Sequence, residues 1–325
     1  MSTIEKALGR LGTDKAKPPV EPLRNTVERS ETEAALATAH GSGGFNRQDQ
    51  NQGKPVIKIP FDALHDRGFL TPATPRSRVA EEFRAIKRPL LRNIAGKSAS
   101  PIANANLVMV TSALEGDGKT FSSINLAMSI AMEQDKTVLY VDADVLKASA
   151  GRLLGVPDDR PGLIDKLKDD GVELQDIILH TNIPNLKLLP AGSPDEHATE
   201  LLASDNMREL MLELSERYHD RVIIFDSPPL LLTSEAGVLA SFMGQIVFVA
   251  SADITPQHAV NEALEHIGED KMVAVMLNRM SRRRLSLFGK TFSKGFGYGY
   301  GYGYGYGYGY GQNSARQTKA NEQTD

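Results

Sequence analysis

From Pro101 onward the chain settles into short apolar runs separated by amphipathic stretches. The runs are Leu107 to Thr111, Thr137 to Val141, Leu186 to Leu189, Val222 to Phe225, Gln245 to Ala250 and Val273 to Leu277. Each is nearly continuous rather than alternating, as in strands covered on both faces, and helical stretches such as Met207 to Tyr218 lie between them. The pattern predicts an α/β fold built on a doubly wound, mainly parallel sheet. Upstream, Val79, Phe83 and Ile86 share one helical face between Ser77 and Arg88, and Pro89 is expected to kink or end that helix. The uncharged stretch Ala236 to Ala252 falls short of the roughly 18 to 20 residues that span a bilayer and is interrupted by Gly244. It reads as a buried helix end, a turn and a buried strand.

Outside this core, about 77 to 290, the pattern fades. Residues 13–76 are rich in Lys, Glu, Pro, Gly, Asn and Gln and poor in aromatics, so they are expected to form a disordered linker. Ahead of it, Ile4, Ala7, Leu8 and Leu11 fall at helical spacing within residues 1–12, with Ser2 as a cap. That short amphipathic helix reads either as a docking peptide for a protein or membrane surface or as a frayed terminus. The segment 291–325 holds the chain's internal repeat, in which Gly alternates with Phe296 and then with Tyr298, Tyr300, Tyr302, Tyr304, Tyr306, Tyr308 and Tyr310. Half-glycine composition favours a flexible, exposed tail. Only Tyr140 and Tyr218 lie elsewhere, so tyrosine is concentrated where an enzyme can reach it.

Composition narrows the function. There are no cysteines, which excludes disulfides and thiol chemistry, and a net charge of -4 gives no general pull toward nucleic acid. Met1 to Arg10 lacks the apolar run of a signal peptide, so a cytoplasmic chain is expected.

The chemistry gathers at strand ends. After Leu107 to Thr111 come Gly116, Asp117, Gly118, Lys119, Thr120 and Phe121, and then a helix. Two spaced glycines let backbone N–H groups approach phosphate oxygens at a helix N-terminus, Lys119 reaches the β and γ phosphates, and the Thr120 hydroxyl ligates Mg²⁺. Ala113 stands where the usual pattern has its first glycine. Asp142, Asp144 and Asp226 follow two other strands, at the carboxyl edge where doubly wound sheets bind ligands. Asp144 and Asp226 are candidates for holding Mg²⁺, and Asp142 for taking a proton from an attacking hydroxyl. Asn278, after the last run, suits either an adenine edge or a cap.

Together these motifs resemble the bacterial tyrosine kinases of exopolysaccharide and capsule assembly, relatives of the ParA and MinD P-loop ATPases, over about residues 78 to 310. The resemblance rests on Gly116 to Thr120, the Asp142 and Asp144 pair, Asp226 to Pro229 and the Gly–Tyr tail. Glu81, Arg84 and Lys87 look like the family's ring-contact helix, and Pro190 to Gly192 with Glu200 to Leu202 like a further shared stretch. Departures are Glu115 where Pro is frequent and Lys147 where Arg is frequent. Leu114 occupies the place of the signature lysine of ParA and MinD, which argues against their sandwich dimer.

The resemblance implies an ATP- and Mg²⁺-dependent autokinase that phosphorylates Tyr298 to Tyr310 and regulates exopolysaccharide polymerisation and export. It also implies a homo-oligomeric ring, a membrane chain-length regulator as activator, a cognate tyrosine phosphatase, and peripheral attachment to the inner membrane through a partner. The match is nearest to the exosortase-associated branch. Seven phosphotyrosines would add roughly -10 to -14 charges, enough to push neighbours apart, and Arg282, Arg283, Arg284 and Lys290 either bind such a tail or form a solvated basic surface. The rivals are a ParA-like positioning ATPase without kinase activity and a non-catalytic partner using ATP as a structural ligand.

Overall fold

The computed structural model describes residues 56–280. The N-terminal helix of residues 1–12, most of the expected linker and the Gly–Tyr tail with its basic approach lie outside them.

Eight strands form one sheet: β1 (Val56–Ile57), β2 (Leu107–Ser112), β3 (Thr137–Asp142), β4 (Leu179–Thr181), β5 (Leu186–Leu189), β6 (Arg221–Asp226), β7 (Gln245–Ser251) and β8 (Met272–Asn278), in the order β1-β4-β5-β3-β6-β2-β7-β8. The six from β5 to β8 are mutually parallel, and β4 pairs antiparallel with β5. Because alternate residues of a strand face opposite sides, β2 splits its side chains between two cores. Leu107 and Met109 join one, Val108 and Val110 the other. The first core is covered by α5 (Leu163–Lys168), α6 (Leu174–Ile177), α7 (Ala198–Leu202), α8 (Asp205–Arg217), α9 (Ser234–Phe242) and α10 (Gln257–Glu265). The second is covered by α1 (Phe61–Asp66), α2 (Arg78–Ile94), α3 (Lys119–Ala131) and α4 (Ser149–Leu153). The fold is therefore a doubly wound, mainly parallel α/β sheet. Gly244 joins α9 to β7 so close to the neighbouring loop that an added Cβ would stand 2.3 Å from the Asn104 carbonyl oxygen. Among the described residues no helix is long and apolar enough to cross a membrane.

One expectation is corrected and a second is narrowed. The linker expected over 13–76 gives way to ordered chain from Val56. Ile57, Ile59, Leu64, Phe69 and Leu70 are all buried in the second core, and the Asn125 carboxamide accepts the Leu70 N–H at 2.6 Å. Composition averaged over the whole stretch hides this apolar cluster at its end. Nor does Pro89 end its helix, since α2 runs on to Ile94. Proline forfeits one backbone bond there, but burial of Leu90 and packing of Leu91 and Ile94 on the second core hold the continuation in place. The start of α2 is capped by Ser77, whose hydroxyl accepts the Ala80 N–H at 3.2 Å.

Candidate active site

The carboxyl ends of β2, β3, β6, β7 and β8 converge on one loop. Between β2 and α3 the backbone passes through left-handed conformations at Gly116 (φ 82°) and Gly118 (φ 94°), which only glycine adopts at little cost. The loop thus forms a concave run of N–H groups opening onto the N-terminus of α3, where the first amides have no intrahelical acceptor. This is an anion cradle in shape and in sign.

Asp117 faces inward rather than toward a ligand. Its carboxylate accepts the Thr255 hydroxyl at 2.5 Å and the Leu114 N–H at 3.3 Å. Its carbonyl accepts the Asn278 carboxamide N–H at 2.9 Å. The loop is therefore tied to the ends of β7 and β8. Asn278, a candidate for the adenine edge, has its amide committed to this loop, while its oxygen accepts the Arg279 N–H. Phe121 sends its ring away from the cradle, 4.9 Å from Phe69 and 6.4 Å from Phe83 between centroids, so only its backbone can serve a phosphate.

Below the cradle lies a group of buried charges. Register pairs Asp142 of β3 directly with Asp226 of β6, bringing the two carboxyls side by side about 4.8 Å apart in strand spacing. Lys119 Nζ meets Asp144 Oδ2 at 2.5 Å, and both side chains are more than nine-tenths buried. Asp142 accepts the Gly151 N–H at 3.1 Å through Oδ2, while its Oδ1 has no partner. Neither oxygen of Asp226 has a hydrogen-bond partner of good geometry. Burial first, and then the charge of Asp226, push the Asp142 carboxyl up to about 8. Burial also raises Asp226, to about 6, against the pull of Lys119 and the Thr120 hydroxyl.

Tyr140 and Ser123 complete the floor, their hydroxyls 3.0 Å apart. Burial, and then the charges of Asp226 and Asp142, hold the Tyr140 phenol well above its usual range. Tyr140, Ser123 and Thr255 were missed in the sequence. Thr255 follows a strand end, the same cue that singled out the aspartates, and Ser123 lies one helical turn after Lys119.

An orphaned pair of buried carboxylate oxygens beside a half-buried Thr120 hydroxyl suits a hard divalent cation. Among the described residues no group of three or more His, Asp or Glu could hold a metal alone, so such an ion would need phosphate and water oxygens as well. Together with the anion cradle and Lys119, the donor set fits a magnesium nucleotide.

The three residues expected at an oligomer contact part company. Glu81 is exposed and pairs with Arg84, which also donates to the Pro75 carbonyl. Lys87 is instead buried, a correction with a clear cause. Its ammonium donates to the Ser129 carbonyl, one of the last four of α3, and pairs with Glu133 at 2.6 Å. The carbonyls of Met128 and Ile130 are met by the N–H groups of Met132 and Glu133, so Lys87 completes the C-terminal cap of the helix that begins at Lys119. Lys147 pairs with Glu115 at 3.6 Å on the exposed rim.

A family model described as an AAA domain matches residues 106–266. The tyrosine-protein kinase CpsD of Streptococcus agalactiae is 30% identical over 206 residues, 63% of this chain and 85% of CpsD. The tyrosine-protein kinase wzc of Salmonella typhi is 31% identical over 183 residues, 56% of this chain, and the matched part spans only 25% of wzc. Among solved structures, the kinase domain of the Escherichia coli tyrosine kinase ETK superposes with a TM-score of 0.57 at 27% identity, covering 78% of this chain and 90% of that domain.

Proposed function

Because the chain belongs to the bacterial tyrosine-protein kinases, we propose that it is an ATP-dependent autokinase whose acceptors are Tyr298, Tyr300, Tyr302, Tyr304, Tyr306, Tyr308 and Tyr310 of its own Gly–Tyr repeat. The observation that carries this reading is the juxtaposition of the anion cradle, Lys119 and the paired carboxyls Asp142 and Asp226 at one sheet edge.

The N–H groups of the Gly116 to Thr120 loop would hold phosphate oxygens, and Lys119, paired with Asp144 in the empty site, would turn to the phosphates. Thr120 and Asp226, together with Asp144 if Lys119 left it, would hold Mg²⁺. Bound MgATP supplies the phosphoryl group and the ADP leaving group. Asp142 takes the proton of the incoming tyrosine on the oxygen that has no other partner. In the empty site burial and the charge of Asp226 push the Asp142 carboxyl up to about 8, so it must first lose its own proton, a change that the positive charge of a magnesium nucleotide would favour, before it can serve as base to a phenol of pKa about 10. Gly151 holds the second oxygen of Asp142 and so fixes the carboxyl's orientation.

The setting follows from the family resemblance. The kinase acts in a homo-oligomer, with Glu81 and Arg84 on the exposed side of α2 available for it, and a membrane chain-length regulator recruits and activates it at the inner membrane. A tyrosine phosphatase resets the tail, and the cycle regulates exopolysaccharide polymerisation and export.

The full chain and its Lys119→Ala variant, each incubated with MgATP and digested for mass spectrometry, test the proposal. Phosphate on Tyr298 to Tyr310 in the parent and none in the variant is the expected outcome. ATP hydrolysis without phosphotyrosine, or equal phosphotyrosine in both, would overturn it.

A further inference from the structure

Tyr140 is buried beneath the paired carboxyls and has no part in the steps derived so far. Side chains of a strand alternate between faces, so Val138, Tyr140 and Asp142 of β3 share the face covered by α3, as do Val222, Ile224 and Asp226 of β6. Register sets Tyr140 beside Ile224 and Asp142 beside Asp226, which puts the phenol one step below the acids. Of Val138, Tyr140, Val222 and Ile224, which precede the acids on this face, only Tyr140 carries a polar side-chain atom. A hydroxyl in such a place is costly unless it is hydrogen-bonded, so its partners define its role.

Those partners come from α3 and from β6. Ser123, fully buried one helical turn after Lys119, sets its hydroxyl 3.0 Å from the phenol oxygen and 3.1 Å from the Thr120 carbonyl. The Asp226 carboxyl is a neighbour of the hydroxyls of Thr120, Ser123 and Tyr140, yet neither of its oxygens is met in good geometry. Each hydroxyl has one proton that turns about its C–O bond. With the Ser123 proton on the Thr120 carbonyl and the phenol proton on Ser123, Asp226 receives nothing. With the Ser123 proton turned to the phenol oxygen, the phenol is free to donate to Asp226.

Resting on the magnesium-nucleotide reading of this site, we infer that Tyr140 and Ser123 are positioning residues for the metal-binding carboxylate: Ser123 orients the phenol, and the phenol donates to Asp226 from beneath and leaves its remaining oxygen to the cation. A metal-ligating carboxylate that is itself hydrogen-bonded is held in one orientation and binds its ion more tightly. The hydroxyl pair acts through Asp226 alone and takes no proton from the acceptor.

The test reads metal affinity in place of turnover. A fluorescent ADP analogue bound to the full chain is titrated with Mg²⁺, and its affinity is measured again in chelator. Tyr140→Phe keeps the ring and removes the hydroxyl, and is expected to raise the half-saturating Mg²⁺ concentration about tenfold while the affinity in chelator stays within about twofold. Ser123→Ala leaves the phenol without its orienting partner and is expected to raise that concentration roughly threefold. The double variant is expected to match Tyr140→Phe, because Ser123 acts through the phenol. Coincident Mg²⁺ titrations for the parent and Tyr140→Phe would overturn the inference. Equal losses of affinity with and without Mg²⁺ would do the same, since they mark a role in packing only, and additive effects in the double variant would break the chain from Ser123 through Tyr140. If thermal melting shows Tyr140→Phe to be unfolded, Ser123→Ala carries the comparison, and an unshifted Mg²⁺ titration there overturns the inference equally. A parent chain whose ADP affinity ignores Mg²⁺ would sink the reading of the site beneath the inference, whereas a parent that responds to Mg²⁺ beside variants that respond identically would sink the inference alone.

Discussion

Gly118→Ala offers the sharpest test of how the phosphate loop is held. Gly118 has φ 94° and caps α3, and a Cβ added to it would stand 2.1 Å from Asn278 Nδ2 and 3.4 Å from Cγ, with no other atom within 4 Å. Two costs follow. The left-handed backbone costs an alanine about 1–2 kcal/mol wherever the neighbours are. The methyl also displaces the Asn278 carboxamide, which loses its bond to the Asp117 carbonyl, about 1 kcal/mol more. Gly118→Ala is therefore expected to destabilise the nucleotide-free chain by about 2–3 kcal/mol in urea unfolding. Asn278→Ala alone loses the bond and costs about 1 kcal/mol. In the double variant the bond cannot be lost twice, so Gly118→Ala on the Asn278→Ala background costs only the backbone strain, about 1–2 kcal/mol. The cycle closes with a coupling of about 1 kcal/mol in the favourable direction. Additive penalties would refute the reasoning, since they would mean that the methyl meets nothing that Asn278 provides.

Two further outcomes follow from buried charges. Lys87→Met keeps the volume but leaves the Ser129 carbonyl and Glu133 without their cation, so it is expected to cost about 1–3 kcal/mol in urea unfolding with self-association unchanged by sedimentation. Unaltered stability with lost self-association would restore Lys87 to an interface. In the metal- and nucleotide-free protein, the folded state holds a proton on Asp142 up to pH about 8 and on Asp226 up to about 6, whereas the unfolded chain releases both near pH 4. Folded pKa values raised in this way give stability that is complete below the unfolded value and lost as pH rises through the folded one. Melting temperature in chelator is therefore expected to fall between pH 5 and 8, and a rise over that window would contradict the assignment.

Most of the sheet was legible because its strands are buried on both faces and read as unbroken apolar runs. All six runs picked out between Leu107 and Leu277 are strands, with ends that differ by a residue or so. The two strands that escaped notice, Val56–Ile57 and Leu179–Thr181, are two and three residues long and lie at the edge, too short for any periodicity to register. The acids were found by position, as the first polar residues after buried strands. Lys87 was misplaced because a sequence shows the spacing of a helix face and not which faces are covered. Two successive turns of α2 carry the exposed Glu81 and the buried Lys87, and only the packing of α2 on α3 separates them. The Asp117–Thr255–Asn278 ties join residues more than a hundred positions apart, which no local pattern reveals.

The same burial that makes the aspartates hard to ionise is what makes them useful. A carboxylate pair set in register on adjacent parallel strands, nine-tenths or more buried and largely without donors, is costly to keep charged in the empty protein. A magnesium nucleotide would bring the missing positive charge and relieve that cost, so part of its binding energy is already built into the sheet. Lys119, which would meet the phosphates, is held in the empty site by Asp144, which spares that site an unpaired ammonium. Exchange of Lys119 from Asp144 to phosphate would then release a carboxylate at the moment a cation arrives to need it. On this view the ion pair is a resting state of the site, and Asp144→Asn, which keeps a hydrogen-bond acceptor for Lys119 but gives up the charge, separates its holding role from any part in binding metal.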